Sequence, residues 1–433
     1  MKKFLFVLSL LLVSYTEGKE IPKEKITPVV QEKILDSLKL DKKYLNENNL
    51  EKAEKYLQIA AKEDNTEAQY ILGIVYTRKN DIKSAEKYYK LAAGKGDMWA
   101  MNNLGSLYEY QEKYELAEKY YISASEKGDI FAEYNLGGLY YKQGNRKLAI
   151  KYFKRAADAG SVHSQFILGN LYAEDKKNKA AIKYYKLAAD NGNIDAQNNL
   201  GVLYEEENKL ELAEKYYKMA AEKNNLNACY NLGVLYESQD KPELAEKYLK
   251  ISADSGDTKS QRKLGNLYYF DLGKYDLAEK YLKMSIKNND IESLKALGIF
   301  YYNRWDYESA EKYFKPAAEK GDVKSQAFLA SVYDNLNKKD LAKKYYKIAA
   351  DNGDISSQYY LACMYEEEGK MNLAAKYFLK AAQHKDKKLV EKYMIEEDIE
   401  QLYKLIEQKI VNLDDLEEEW YYEFYDKKKY KKI

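Results

Sequence analysis

The chain has 433 residues, of which 46 are tyrosine and only 4 proline, 2 cysteine and 2 histidine. Lysine plus arginine (71) and aspartate plus glutamate (70) leave a net charge of +1, so the chain has no general electrostatic attraction for nucleic acid. A hydrophobic share of 45% excludes a disordered polymer and is sufficient for a large buried core.

The N-terminus has the order of charged, apolar and polar regions found in secretory signal peptides. Lys2 and Lys3 precede an apolar run over residues 4–13, and polar residues follow from Ser14. This run is too short to span a bilayer. We predict a signal peptide over residues 1–18 and a linker or cap over 19–35. The mature protein is then exported to the periplasm, the cell envelope or the medium, with no integral membrane span. The alternative is an apolar segment that docks on the first helix.

The rest of the chain is an internal repeat. The segment NLGSLY at 103–108 recurs in closely similar form at 135–140, 199–204 and 231–236. Its small residue recurs every 32 residues, with one step of 33, at Gly73, Gly105, Gly137, Gly169, Gly201, Gly233, Gly265, Gly298, Ala330 and Ala362. A degenerate copy around Asp41 extends the series, which gives about eleven units over residues 36–384.

Each unit has the periodicity of two amphipathic helices. Alanine recurs twelve residues after the small residue, an aromatic residue or leucine four later, and a small residue three after that, so these positions share one helical face. Gly-Asp pairs such as Gly96-Asp97 and Gly128-Asp129 are typical of a helix end followed by a helix start. The sequence therefore predicts an all-α fold.

The glycines predict a close helix crossing. One glycine within a helix costs about 0.5 to 1 kcal/mol relative to alanine, so eight of them need compensation from close backbone approach. We expect the glycine of the first helix to face the small residues of the second. Replacing Gly201 by valine is then expected to cost at least about 1 to 3 kcal/mol through overpacking.

The motif L-G-x-x-Y followed by A-x-x-x-Y, as at Leu104-Gly105 to Tyr108 and Ala117 to Tyr121, resembles the tetratricopeptide repeat. The passage between units, as in AAGKGD at 92–97, resembles the Sel-one-like repeat (SLR). The resemblance implies a right-handed α-α superhelix (solenoid) of about eleven 32-residue helix-turn-helix repeats, and a scaffold or adaptor that binds a protein or peptide.

Two tyrosine columns run through all units, one three residues after the motif position and one on the second helix, directly after a lysine. Examples are Tyr108 and Tyr120. A column that is identical in every unit serves what all units share, so we predict that both columns stack the helices. Tyrosine suits this role because its ring can be buried while its hydroxyl stays hydrated.

Binding residues are expected where units differ, on the first helices, which by the resemblance line the concave groove. The N-terminal part of this face is aromatic, the middle is acidic, and a later part mixes basic and aromatic residues, namely Lys259, Arg262, Tyr269, Phe270, Lys295 and Tyr302. The candidate partner-binding residues are Tyr70, Trp99, Phe131, Tyr134, Asn103, Asn135, Asn199 and Asn231. By the resemblance, the asparagines hold a ligand's backbone. The alternatives are aromatic packing between helices and local hydrogen bonds of the asparagines.

Residues 385–433 leave the repeat pattern. We predict a C-terminal helical cap around residues 389–410 that covers the last apolar face, followed by a tail. The tail contains an acidic stretch at 414–419, then Trp420-Tyr421-Tyr422, then lysines between 427 and 432. It is either a solvated tail or a segment attracted to anionic lipid or cell-wall polymer.

No catalytic motif is present: the chain lacks G-x-S-x-G, a P-loop, H-E-x-x-H and C-x-x-C. His163 and His384 are far apart, and Cys229 and Cys363 lie four units apart, too far for a disulfide. We predict no enzyme activity, no cofactor and no metal. The alternative functions are binding of cell-wall polysaccharide and, by the resemblance, a relative of exported repeat proteins linked to β-lactam binding or hydrolysis.

Overall fold

The computed structural model describes residues 50–286 and 290–382. The predicted signal peptide, the linker, the degenerate first copy around Asp41 and the predicted C-terminal cap and tail lie outside these residues. The chain divides into two compact units, Met1–Met219 and Ala220–Ile433, called here unit one and unit two. Their described parts are residues 50–219 in unit one, and 220–286 and 290–382 in unit two.

Every regular element in the described residues is an α-helix, which confirms the predicted all-α class. Up to Glu206 the helices are α1 Leu50–Lys62, α2 Thr66–Arg78, α3 Ile82–Gly94, α4 Met98–Tyr110, α5 Tyr114–Ser125, α6 Ile130–Lys142, α7 Arg146–Asp158, α8 Val162–Glu174, α9 Asn178–Asp190 and α10 Ile194–Glu206. The others are α11 Leu210–Ala221, α12 Leu226–Ser238, α13 Pro242–Asp254, α14 Thr258–Phe270, α15 Tyr275–Ser285, α16 Ile291–Tyr302, α17 Tyr307–Glu319, α18 Val323–Asn335, α19 Lys339–Asp351, α20 Ile355–Glu367 and α21 Met371–Ala382. Even-numbered helices are the first helices of the repeats, and odd-numbered helices are the second.

The turn between one repeat and the next has the predicted stop and start chemistry. Gly96 adopts φ 91°, a left-handed conformation that side chains disfavour, and Asp97 accepts a hydrogen bond from the Ala100 N–H at 2.6 Å. Aspartate or asparagine caps most other first helices in the same way; Asn193, for example, accepts from the Ala196 N–H at 2.7 Å. The chain therefore reverses at positions that its own local sequence specifies.

The contact between the two helices of a repeat is the seam: the motif glycine or alanine on the first helix, and the ring or leucine that covers it on the second. An added Cβ at Gly201 would lie 2.5 Å from Cδ1 of Tyr217, and one at Gly233 would lie 2.5 Å from Cγ of Leu249. The predicted close approach is confirmed, but the group that needs the missing side chain is a large ring or a leucine rather than the small residues of the second helix. Those small residues are buried in the same interface, as Ala213 and Ala220 are.

The two tyrosine columns form stacked pairs within the repeats, which confirms their structural role. Tyr301 and Tyr313 are parallel within 5°, with ring centroids 5.5 Å apart, and the described repeats contain seven more stacked pairs. In two further repeats the corresponding rings are tilted by 38°. In six repeats the hydroxyl of the first-helix tyrosine also donates to a glutamate on the preceding second helix, as Tyr301 does to Glu279 at 2.6 Å. The tyrosines thus connect the helices within a repeat and successive repeats.

Candidate binding surfaces

Within each unit, the exposed side of the first helices is called here the first-helix face. Consecutive first helices touch in the series α2, α4 and α6, in α8 and α10, and in α14 and α16. Side chains bridge them: Asn135 Nδ2 donates to Asn102 Oδ1 at 2.8 Å, and Lys142 pairs with Glu109. Because neighbouring repeats present their variable residues side by side, a ligand on this face would contact several repeats at once.

The four predicted aromatic residues lie on this face in unit one, at different depths. Phe131 is 38% exposed, and Trp99 is half-buried with its ring centroid 6.3 Å from that of Tyr70. Tyr134 is half-buried against Phe153, with centroids 5.9 Å apart. Tyr70 is only 5% exposed, since it packs between Trp99 and the seam ring Tyr89. A ligand would therefore contact Phe131 and the outer edges of Trp99 and Tyr134, with Tyr70 as support underneath.

The predicted asparagines take part in the packing of the first helices. Asn103 is 4% exposed, and Asn135 and Asn199 are half-buried. Asn199 Nδ2 donates to Asn170 Oδ1 and to the Tyr185 hydroxyl, both at 3.4 Å, in addition to the Asn135 bond described above. Asn231, in unit two, is also half-buried and engaged in an interaction. The local hydrogen bonds considered as the alternative are present, and the holding of a ligand backbone stays a prediction.

A buried carboxylate lies directly beside Phe131. Asp129 caps α6 by accepting from the Phe131 N–H at 3.0 Å, and its burial raises its pKa to about 6. Since the value in the folded state lies above the ordinary 3.8, ionising this group costs stability as the pH rises through 6. The end of α6 that presents Phe131 is therefore held by a group sensitive to mildly acidic pH.

Unit two contains a pocket of about 240 Å³ on its first-helix face, between α14 and α16 and bordered by Tyr230 of α12. Its lining residues are Tyr230, Lys259, Arg262, Lys263, Asn266, Tyr269, Phe270, Leu282, Glu292, Lys295, Ala296, Ile299 and Phe300. Five of them belong to the mixed basic and aromatic zone of the sequence, but the sequence did not predict a pocket there. Lys263, Asn266 and Phe300 were missed, because they complete the wall only once α14 and α16 are side by side.

The lining of this pocket is cationic, with Lys259, Arg262, Lys263 and Lys295 against one carboxylate, Glu292. Glu292 accepts from Lys295 at 2.8 Å and from Arg262 at 3.3 Å, so two cations share it. Lys263 pairs with Glu237, and Lys295 also approaches Asp322 at 3.6 Å. Lys259 is exposed and has no ion-pair partner among the described residues. This arrangement favours an anionic ligand.

One wall of the pocket is aromatic. The ring centroid of Tyr269 is 4.7 Å from that of Phe270 and 5.3 Å from that of Phe300, both edge-to-face. Phe270 is 63% exposed, the most open large ring of this wall. The pocket therefore combines cations with an accessible apolar surface.

Metal binding, disulfides and membrane spans depend on other features of the described residues. No group of three or more histidine, cysteine, aspartate or glutamate side chains within the described residues is arranged to hold a metal ion. Cys229 is buried and Cys363 is half-buried, and the two do not form a disulfide with each other, as the repeat spacing predicted. Among the described helices, none has the length and apolar character needed to cross a membrane.

Comparison with protein families matches repeat models along the array. The tetratricopeptide repeat matches residues 42–97, 102–161, 134–195, 194–222, 226–250 and 323–350. The Sel1 repeat, which is the Sel-one-like repeat, matches residues 258–290, 292–322 and 355–386. From residue 226 onward, the matches change between the two families along the chain.

Among solved structures, the chain is similar to a protective antigen of uropathogenic Escherichia coli strains that displays an SLR fold. The identity is 21%, the match covers 97% of each chain, and the TM-score is 0.65. A Sel1 repeat protein from Oxalobacter formigenes matches at 21% identity and a TM-score of 0.48, over 74% of this chain and 99% of that one. No curated protein sequence matches the chain. With the helix pairs, the seam and the family matches taken together, this chain is an α-solenoid of the tetratricopeptide and Sel1-like repeat families.

Proposed function

We propose that the protein is a non-catalytic scaffold that binds a segment of a partner protein on the first-helix face of unit one, around Trp99 and Phe131. Tetratricopeptide and Sel1 repeats are protein-interaction scaffolds in kind, which supports the general class. The partner segment is either extended or helical, since both forms can lie along a row of parallel helices.

The observation that carries this proposal is that the recurring aromatic residues are packed within the fold, whereas Phe131 is exposed. The tyrosines that recur in every repeat are used in stacked pairs, and the rings of the seam are buried. Phe131 belongs to neither set and is 38% exposed at the start of α6, while Trp99 holds the equivalent position of the preceding repeat. Exposed aromatic side chains backed by a rigid support are typical anchors of protein interfaces.

We further propose that the scaffold works outside the cytoplasm, in the cell envelope or beyond it. The order of charged, apolar and polar residues over positions 2–14 supports export. The intact mass of the protein recovered from the producing cells is expected to lack roughly 16 to 18 N-terminal residues, in accordance with the short length of signal peptides. A full-length mass would contradict export by this route.

The binding site is tested by site-specific cross-linking. A photoreactive phenylalanine analogue replaces Phe131, the protein is exposed to an envelope fraction, and mass spectrometry identifies the cross-linked peptide. The identified partner is then purified and titrated against the wild type and against Trp99→Ala with Phe131→Ala. We expect the double variant to bind at least about tenfold more weakly, as loss of aromatic anchors commonly gives.

The matched control is Tyr114→Ala with Leu116→Ala, a pair on α5 of the same unit with similar exposure, 42% and 40%, on a second helix. This variant should retain full affinity. A cross-linked product that resists protease and is degraded by glycan-cleaving enzymes would favour the polysaccharide alternative and contradict a protein partner.

A further inference from the structure

The cationic and aromatic pocket of unit two has a chemically complementary segment in the same chain. Residues 410–426 contain seven acidic residues, five aromatic residues and no lysine or arginine. The acidic run 414–419 leads directly into Trp420. The pocket is lined by four cations and Glu292, with Glu237 beside Lys263 and Asp322 near Lys295, so the cations exceed the carboxylates and Lys259 has no ion-pair partner among the described residues. One wall is formed by Tyr269, Phe270 and Phe300.

We propose that residues 414–424 of the C-terminal tail bind in this pocket of their own chain. The carboxylates at 417–419 approach Lys259, Arg262 and Lys263, and the ring of Trp420 packs on Phe270. The proposal is independent of the proposed function, which concerns a different surface in unit one.

Chain length permits this binding. Residues 383–413 separate the end of α21 from Asp414, and 31 residues span about 100 Å when extended and about 46 Å as a helix. The pocket helices α14 and α16 lie three and two repeats before α20. At usual helix-packing distances, the pocket is therefore about 20 to 30 Å from α20. The connection therefore reaches the pocket in either conformation.

Charge and tethering both favour this occupant. Opposite charges steer the tail to the pocket, and an aromatic anchor on Phe270 supplies apolar contact that salt does not weaken. A segment attached to the same chain also has an effective concentration in the millimolar range for a flexible connection, so modest intrinsic affinity is sufficient. A free acidic peptide would have to exceed that concentration to compete.

Trp420 can be made the reporter of this contact in the full chain. The three tryptophans are Trp99, Trp305 and Trp420. Trp305 is exposed in a turn at φ 60°, where other repeats carry asparagine, as at Asn80 and Asn337, so Trp305→Asn suits the backbone. Trp99→Phe keeps an aromatic ring beside Tyr70. The resulting chain contains Trp420 alone.

The experiment measures Trp420 emission and its quenching by acrylamide in this reporter chain. We expect blue-shifted emission and weak quenching, both reversed when Lys259→Glu and Arg262→Glu are added, with a several-fold rise in the quenching constant. High salt should loosen the contact in part. The control is Lys223→Glu with Lys250→Glu, which makes the same change in charge at exposed sites away from the pocket and should leave Trp420 protected.

A charge swap makes the test specific. Glu417→Lys, Glu418→Lys and Glu419→Lys alone should expose Trp420, and combining them with Lys259→Glu and Arg262→Glu should restore its protection. Circular dichroism on every variant identifies loss of fold. Equal quenching in the reporter and the pocket variant, or no recovery in the folded charge swap, would overturn the proposal. Protection that disappears on dilution would also overturn it, because the occupant would then be a second copy.

Discussion

In the seam between the two helices of a repeat, the same rings recur along the chain and are buried, whereas on the first-helix face the side chains differ from repeat to repeat and several are exposed. Tyr217 in the seam is 1% exposed, and Phe131 on the face is 38% exposed. Both are aromatic residues of unit one. The difference shows that aromatic content alone says little about binding in this protein; what matters is whether a ring occupies a recurring position.

This comparison predicts that seam and face respond differently to substitution. Changes in the seam should lower stability, since they disturb packing that every repeat needs. Changes at exposed positions of the face, such as Phe131, should leave stability nearly intact and alter binding. A substitution that does both would weaken the distinction.

The largest effect on stability is expected for Gly201→Val. Its Cβ would lie 2.5 Å from Cδ1 and 2.6 Å from Cε1 of Tyr217, so the ring has to leave its site. We expect the free energy of unfolding, measured with urea, to fall by about 3 kcal/mol, the upper end of the cost of overpacking. An unchanged unfolding midpoint would contradict the seam as described.

The control for this substitution is a neighbouring pair of glycines in α6. A Cβ at Gly137 would lie 2.5 Å from Cδ1 of Phe153, whereas a Cβ at Gly138 would have no neighbour within 4 Å. Gly138→Ala should therefore raise stability by about 0.5 to 1 kcal/mol, the ordinary gain from removing a helical glycine. Equal effects of Gly137→Ala and Gly138→Ala on stability would show that helix propensity, rather than the seam, determines the stability change.

A smaller effect is expected for Tyr301→Phe, which removes the hydroxyl that donates to Glu279 at 2.6 Å and keeps the ring. The loss should be about 1 kcal/mol, typical of one hydrogen bond. Tyr313→Phe is the control, because it retains the same stacked pair and the Tyr313 hydroxyl has no hydrogen bond to any other described residue. Similar losses of stability in both variants would mean that the hydrogen bond from Tyr301 to Glu279 does not stabilise the fold.

The same variant has a predicted pH dependence. Burial, reinforced by the bond to Glu279, raises the pKa of Tyr301 from 10.0 to about 12. Because the folded value is the higher one, this stabilisation is present below pH 10 and is lost as the pH rises through 12. The stability difference between wild type and Tyr301→Phe should therefore shrink over that range, as measured by unfolding at fixed ionic strength. A constant difference would contradict the assigned hydrogen bond.

The sequence predicted the helix pairs well because the 32-residue period repeats local signals. Each repeat carries its own small motif residue, caps and tyrosines, so ten or more copies of the same local pattern indicate the same helix pair. The link from Tyr301 to Glu279 was missed, although a glutamate lies 22 residues before the tyrosine in several repeats. That separation crosses a repeat boundary, and a search confined to single repeats does not detect it.

The candidate surfaces were predicted less completely for a related reason. Helical periodicity placed Tyr70, Trp99 and Phe131 on one face, but their depth depends on how neighbouring helices pack. Tyr70 is buried because the seam ring Tyr89 and Trp99 enclose it. The pocket of unit two likewise needs residues from α14 and α16 together, such as Arg262 and Phe300. Sequence pattern gives the direction of a side chain, and tertiary packing decides its exposure.

We propose above all that exposed residues on the first-helix face bind the partner, while the recurring rings only support them. The most direct test is the affinity of the purified partner for Trp99→Ala with Phe131→Ala, measured beside its thermal unfolding and beside Tyr114→Ala with Leu116→Ala. We predict binding at least about tenfold weaker for the first variant, with helical content unchanged, and full affinity for the second. Equal affinity of both variants and the wild type would contradict it.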